Sequence, residues 1–150
     1  MAHRDGDGWI ECECSSKHWG LFGAAGLILI RSQSILMQHR APWVHNGDTW
    51  GIPGGARDSH ESPLEAALRE ANEEIGIDTN LLTVIDQFVD DHGPWAYHTI
   101  LANAGPSLVA HEMNDESLEV KWIKIDEVEN QILHPSFAKT WPQLKKKLLL

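Results

Sequence analysis

Two kinds of apolar spacing alternate along the chain. From Trp19 to Ile30 the residues predict a strand interrupted by the glycines at 20, 23 and 26. The polar stretch Arg31-Ser32-Gln33-Ser34 predicts a turn, and Ile35 to His39 the returning strand. Ala41 to Asp48 carries Pro, Asn and Gly and predicts a loop. Leu81 to Val89 and Trp95 to Ala102 are β-type runs around Asp90-Asp91-His92-Gly93-Pro94, which predicts a hairpin. Glu119 to Ile125 predicts another strand, and Asp126 a cap for a short helix through Ile132. Ser136 to Leu149 predicts a C-terminal helix interrupted at Pro142, with Lys145, Lys146 and Lys147 as a solvated end suited to the negative pole of the dipole.

In the middle of these strands the period changes to that of a helix. Ser62 is a natural N-cap, Pro63 fits the first helical position, Glu65 completes a capping box and Gly76 fits the left-handed C-terminal position. Leu64, Ala67, Leu68, Ala71 and Ile75 recur at i, i+3, i+4 and i+7 and mark one apolar face. With Glu70 at zero, that face spans roughly 60° to 160°, while Glu73 falls at about 300° and Glu74 at about 40°. Three carboxylates therefore cluster away from the core face, with Arg69 spaced i+4 from both Glu65 and Glu73. Strands on both sides of one strong helix, followed by a C-terminal helix, predict an α/β fold in which a mixed sheet packs between helices.

A solvated acidic face is the plain alternative for this cluster. Like-charge pairs at i+3 and i+4 cost only about 0.2–0.5 kcal/mol each, so repulsion alone decides nothing. The neighbouring loop decides more. Trp50-Gly51-Ile52-Pro53-Gly54-Gly55 cannot be a regular helix or strand, and its glycines let backbone approach a phosphate or a metal closely. Clustered carboxylates beside exposed backbone groups form the oxygen-rich site that Mg²⁺ or Mn²⁺ prefers.

Composition adjusts this picture. The chain has 150 residues, 42% hydrophobic, which suits a single domain over 1–150 with a fraying polar end at 1–8. The longest apolar run, Ala24 to Ile30, is far too short to span a bilayer and lacks the basic flank of a signal peptide, so the expected location is cytoplasmic. A net charge of −10 argues against a nucleic-acid polymer as partner, and the shortness of that apolar run leads to no membrane being expected. A small phosphorylated substrate remains compatible, because divalent cations supply the missing positive charge. A homodimer is an admissible assembly. Cys12 and Cys14 with His18 suggest zinc spacing, yet four ligands are not present locally. They are read as two reduced thiols, a site completed by a distant histidine being the alternative.

The segment Gly55-Ala-Arg-Asp-Ser-His-Glu61-Ser-Pro-Leu-Glu-Ala-Ala-Leu-Arg69-Glu70-Ala71-Asn-Glu73-Glu74-Ile-Gly76-Ile77 resembles the Nudix box, G-x5-E-x7-R-E-U-x-E-E-x-G-U with U apolar. All seven fixed positions match over 23 residues, a coincidence on the order of one in a million for average composition. The resemblance implies a Nudix α/β/α sandwich and a MutT-like hydrolase cutting the diphosphate linkage of a nucleotide-like substrate with Mg²⁺. It also implies Glu73 and Glu74 as metal ligands, Glu70 as a further ligand or the general base, the Gly54 carbonyl in the metal shell, and Glu61 and Arg69 as braces of loop and helix. One more acidic ligand is expected outside the box. Among Glu112, Glu116 and Glu119, Glu116 is preferred because Glu119 falls within the predicted strand. Trp95 and Tyr97, an i, i+2 pair on one side of a strand, are the foremost base-stacking candidates, ahead of Trp43 and Phe137. His39, His45, His92 and His134 are candidate phosphate contacts. The competing class is a Nudix-fold module that senses a nucleotide without cleaving it, which intact box carboxylates disfavour.

Overall fold

The structure, a computed structural model, describes residues 4–12, 17–113 and 115–149. Its strands are β1 (Trp9–Glu11), β2 (Lys17–Trp19), β3 (Ala24–Arg31), β4 (Ser34–Arg40), β5 (Trp50–Gly51), β6 (Gly54–Ala56), β7 (Leu82–Asp91), β8 (Ala96–Ala104) and β9 (Ser117–Lys124). The helices are α1 (Pro63–Ile75) and α2 (Pro135–Leu148), with short 3-10 turns at Thr79–Leu81 and Ile125–Asn130. Seven strands form one mixed sheet in the order β5-β4-β3-β8-β7, with β6 added to β3 and β9 to β4. Strand β3 runs parallel to β8 and antiparallel to β4 and β6. It is covered on both faces, which explains its uninterrupted apolar run.

The period-2 alternation of β3 and β4 sorts the core into two layers. Ala25, Leu27, Leu29 and Leu36 pack against Ala67, Ala71 and Ile75 of α1. Ile28, Ile35 and Met37 point the other way, onto Phe137, Trp141 and Leu144 of α2. The result is the expected α/β/α sandwich.

The predicted strand from Trp19 is two elements. Gly20 (φ 118°) and Gly23 (φ 94°) take positive φ, which turns the chain out of one strand and into the next. What precedes them pairs backwards: β1 and β2 form a separate antiparallel ribbon, Trp9 opposite Trp19. Residues 4–8, expected to fray, are tied to the body. The Gly6 amide donates to Asp58 at 3.2 Å, and Arg4 reaches Asp58 at 3.1 Å and Glu73 at 2.9 Å. The turn at Ser32 and Gln33 has both residues at positive φ, the two-residue hairpin geometry that matches strand twist. Helix α2 passes through Pro142 without a break, because the core contacts of Trp141 and Leu144 hold it on both sides.

Helix α2 starts on His134, whose Nδ1 accepts the Ser136 amide N–H at 3.2 Å. Burial, with Arg40 and His45 adding, pushes this imidazole down from 6.5 to about 4. The folded chain thus keeps His134 neutral where the unfolded chain protonates it. The contribution of His134 to stability is full above pH 6.5 and declines as pH falls toward about 4. As pH falls across this window, the urea midpoint of the parent is expected to fall relative to that of His134→Asn, measured side by side at each pH.

Candidate active site

Helix α1 is specified locally as expected. The Ser62 hydroxyl accepts the Glu65 amide at 3.1 Å, the Glu65 carboxylate accepts the Ser62 amide at 2.9 Å, and Gly76 closes the helix at φ 64°, ψ 25°. Its apolar face differs in one member. Ala66 is fully buried while Leu64, in the first turn, is largely exposed. Ala66 falls on the carboxylate side of the helix, which is covered rather than solvated.

Arg69 joins loop to helix. Its guanidinium grips Glu61 through two hydrogen bonds, Nε to Oε2 at 2.7 Å and Nη2 to Oε1 at 2.9 Å. Nη2 also donates to the Ala56 carbonyl at 3.0 Å, and Nη1 to Glu70 at 2.9 Å and Glu73 at 3.4 Å. The i+4 reach to Glu65 expected from spacing is replaced by this fork, because Glu65 is spent on the capping box. The Arg69 hydrogen bonds hold the Glu61 carboxyl below its ordinary range against the opposing effect of burial, and Glu61 in turn raises the arginine.

The glycine loop lies directly on the carboxylates. The Gly54 amide donates to Glu74 Oε2 at 2.9 Å, so this glycine meets the site through its N–H. A Cβ on Gly55 would stand 2.7–2.8 Å from the Glu70 carboxylate, which only glycine avoids. Burial, then the charge of Glu70, raises the Glu74 carboxyl to about 8, and Glu116 adds to the rise. Glu70 is raised by burial and partly restrained by Arg69. Glu73 is turned toward Arg4 and Arg69. The outside candidates Glu112, Glu116 and Glu119 are all exposed, and it is Glu116, the residue before β9, whose charge acts on Glu74.

These residues fit a hard divalent cation. The donors are all oxygen, and the carboxylates are packed closely enough to oppose one another's ionisation, which a cation relieves. Gln38 adds an observation that sequence reading missed. It is buried in β4, its Nε2 donates to Glu74 at 3.3 Å, and its buried Oε1 has no hydrogen-bond partner among the described residues. Such an oxygen can accept from water around a cation or from a substrate donor.

A cavity of about 350 Å³ opens beside the Gly54–Gly55 loop and Gln38. Its lining includes Gly54, Gly55, Trp9, Trp19 and Trp95. Trp95 is mostly buried, stacks on His18 with ring centroids 4.1 Å apart, and donates from Nε1 to the Trp19 carbonyl at 3.3 Å. Tyr97 also reaches the cavity, with its hydroxyl in the space that a Cβ on Gly26 or Gly54 would need; burial and the charge of Glu74 push its phenol up. Phe137, His45, His92 and His134 line the same space. His39 instead stacks on Trp50, and Trp43 is exposed. The exposed Trp9 and Trp19, 5.2 Å apart and edge to face, carried no sequence signal, because strands of three residues are too short to show an alternating pattern.

The NUDIX domain family matches residues 20–144. The chain belongs to the Nudix hydrolase family. It is 43% identical over 152 residues to a putative 8-oxo-dGTP diphosphatase 3 of Mycobacterium tuberculosis, covering 94% of this chain and 70% of that protein. It is also 43% identical over 155 residues to a nucleoside triphosphate pyrophosphatase/Nudix hydrolase fusion protein of Bifidobacterium longum. That match covers 97% of this chain, which spans only 32% of the fusion protein. Among solved structures, the Nudix hydrolase RenU of M. smegmatis superposes with a TM-score of 0.87 at 41% identity, covering 96% of both chains.

The Arg69 fork carries a stability expectation. Removing one partner of a buried pair leaves the other uncompensated, at a cost of about 3–5 kcal/mol. Arg69→Ala is expected to unfold at much lower urea than the parent. Arg69→Lys is expected to recover only part of the loss, since an ammonium cannot make the two-pronged contact. An unchanged midpoint in Arg69→Ala would remove the bracing role.

Proposed function

We propose that this chain is a divalent-metal-dependent diphosphatase of nucleoside triphosphates, with oxidised purine nucleotides of the 8-oxo-dGTP kind as preferred substrates and Mg²⁺, replaceable by Mn²⁺, as the ion. The observation that carries this reading is the shared cavity. Its lining brings tryptophan rings suited to a nucleobase together with the Gly54–Gly55 loop, and that loop touches the carboxylates, the Gly54 amide donating to Glu74 and Gly55 lying against Glu70. The diphosphatase named in Mycobacterium tuberculosis supports the same substrate class.

Glu73, Glu74 and Glu116, with the Gly54 carbonyl, would hold Mg²⁺, which would neutralise phosphate charge and acidify a water there. Glu70 is the proton acceptor in this proposal. Burial raises its carboxyl, which favours proton uptake, while Arg69 holds one oxygen at 2.9 Å and orients the group. Water oxygen forms the new bond to phosphorus, the anhydride P–O bond breaks, and the water proton passes to Glu70. The expected products are a nucleoside monophosphate and inorganic diphosphate. Arg69 and Glu61 act by position, fixing loop against helix. The aromatic rings of Trp95 and the β1–β2 ribbon exclude water from the base.

Exhaustive EDTA treatment is expected to abolish hydrolysis, and Mg²⁺ or Mn²⁺ to restore it; full activity in verified metal-free protein would overturn the metal requirement. Glu70→Gln is expected to lower kcat roughly 10²–10⁴-fold with the fold intact. Glu73→Gln and Glu74→Gln are expected to raise the Mg²⁺ concentration for half-activity together with a fall in kcat. A screen of 8-oxo-dGTP, dGTP, ADP-ribose, dinucleoside polyphosphates and nucleotide sugars, with products identified by mass, is expected to give the highest kcat/KM for 8-oxo-dGTP. A clear preference for ADP-ribose or a nucleotide sugar would refute the substrate assignment while leaving the hydrolase reading intact.

A further inference from the structure

The β1–β2 ribbon meets the β7–β8 turn at a cluster of different chemistry from the carboxylate site. Cys12 follows β1, His18 is the central residue of β2, and His92 sits in the turn more than seventy positions further along the chain. One ligand atom from each, a sulfur and two ring nitrogens, lies within 4.8 Å of the other two. The His18 and His92 rings are 4.8 Å apart, and Cys12 Sγ is 3.6 Å from the His92 carbonyl oxygen. We propose that Cys12, His18 and His92 form a binding site for a zinc-class transition-metal ion that clips the N-terminal ribbon to the β7–β8 turn at the rim of the cavity.

The donor set selects the ion. One thiolate and two imidazoles suit Zn²⁺ or Co²⁺ and are poor partners for Mg²⁺, which takes oxygen. Zinc holds sulfur at about 2.3 Å and nitrogen at about 2.0–2.1 Å, so tetrahedral ligand atoms stand roughly 3.3–3.8 Å apart. Atoms already within 4.8 Å close on such an ion with about an ångström of side-chain adjustment. Surrounding contacts orient the ligands. The Asp90 carboxylate lies 2.9 Å from His92 Nε2, the carboxylate–histidine pairing that fixes ring orientation in metal sites. Trp95 stacks on His18 at 10° between planes, and the His92 amide donates to the Trp95 carbonyl at 2.8 Å.

The position also gives the ion a purpose. A two-stranded ribbon of three residue pairs is marginal alone, and β1–β2 is a sheet separate from the main one. Cross-linking it to the turn would hold Trp9 and Trp19 as a fixed wall of the cavity. Cys12 would bind as thiolate, releasing its proton to solvent, with no change of oxidation state. Three protein ligands leave a fourth position for water or another group. Cys14, the other cysteine of the C-x-C pair, lies outside the described residues. The inference is independent of the diphosphatase reading, since neither the ligands nor the test involve catalysis.

Cobalt titration of the metal-free full-length protein, followed by absorbance, tests it. One equivalent of Co²⁺ is expected to give a thiolate-to-cobalt charge-transfer band in the near ultraviolet and the visible bands of a tetrahedral ion. Zn²⁺ is expected to bleach both, and excess Mg²⁺ to leave them. Cys12→Ser, with Cys14 retained, is expected to lose the charge-transfer band, and His92→Gln to weaken Co²⁺ binding at least tenfold. Glu73→Gln is expected to keep the spectrum, which separates this site from the carboxylates. Circular dichroism checks that each variant is folded, and the parent spectrum is decisive even if a variant is not. No charge-transfer band in the parent, or an unchanged band in Cys12→Ser, would overturn the site.

Discussion

The two-pronged contact between Arg69 and Glu61 is the constraint on which the site depends. Glu61 ends the loop and Arg69 stands two turns into α1, so the pair sets the distance between them. The same guanidinium reaches the Ala56 carbonyl and Glu70, linking β6, the loop and the helix through one planar group. Because both partners are largely buried, the charges are hydrogen-bonded rather than solvated, and breaking one leaves the other stranded. Only with the loop held this way can Gly54 donate to Glu74 and Gly55 lie against Glu70.

That arrangement concentrates negative charge where the protein can least disperse it. Glu74 and Glu70 are both raised by burial, and Glu116 adds to the strain on Glu74. Arg69 and Arg4 offset part of it through Glu70 and Glu73. A fold that tolerates this crowding has placed oxygen donors where a divalent cation would stabilise them. The two-layer core makes the crowding sustainable, since α1 and α2 cover opposite faces of the sheet and the carboxylates sit at one edge of that packing.

The aromatic side of the cavity follows a different logic. Trp95 is held by β8 and by His18, whereas Trp9 and Trp19 come from a ribbon outside the main sheet. One wall is therefore built into the sandwich and the other is attached to it, through contacts at Arg4, Gly6 and the Cys12–His18–His92 cluster.

Much of this was legible in the sequence because its causes are local. The caps of α1, its i, i+3, i+4 pattern, the Ser32–Gln33 turn and the β7–β8 hairpin all depend on residues a few positions apart, and helical spacing alone groups Glu70, Glu73 and Glu74 as candidates. What only the tertiary structure decided involves partners far apart in the chain. The choice of Glu61 over Glu65 by Arg69, the burial of Ala66 on the polar side of α1, the approach of Arg4 to Glu73, the contact of Gln38 with Glu74 and the meeting of Cys12 with His92 are examples. Periodicity places a side chain on a face of its own element. It carries no information about which distant segment covers that face, because that is set by how the layers pack.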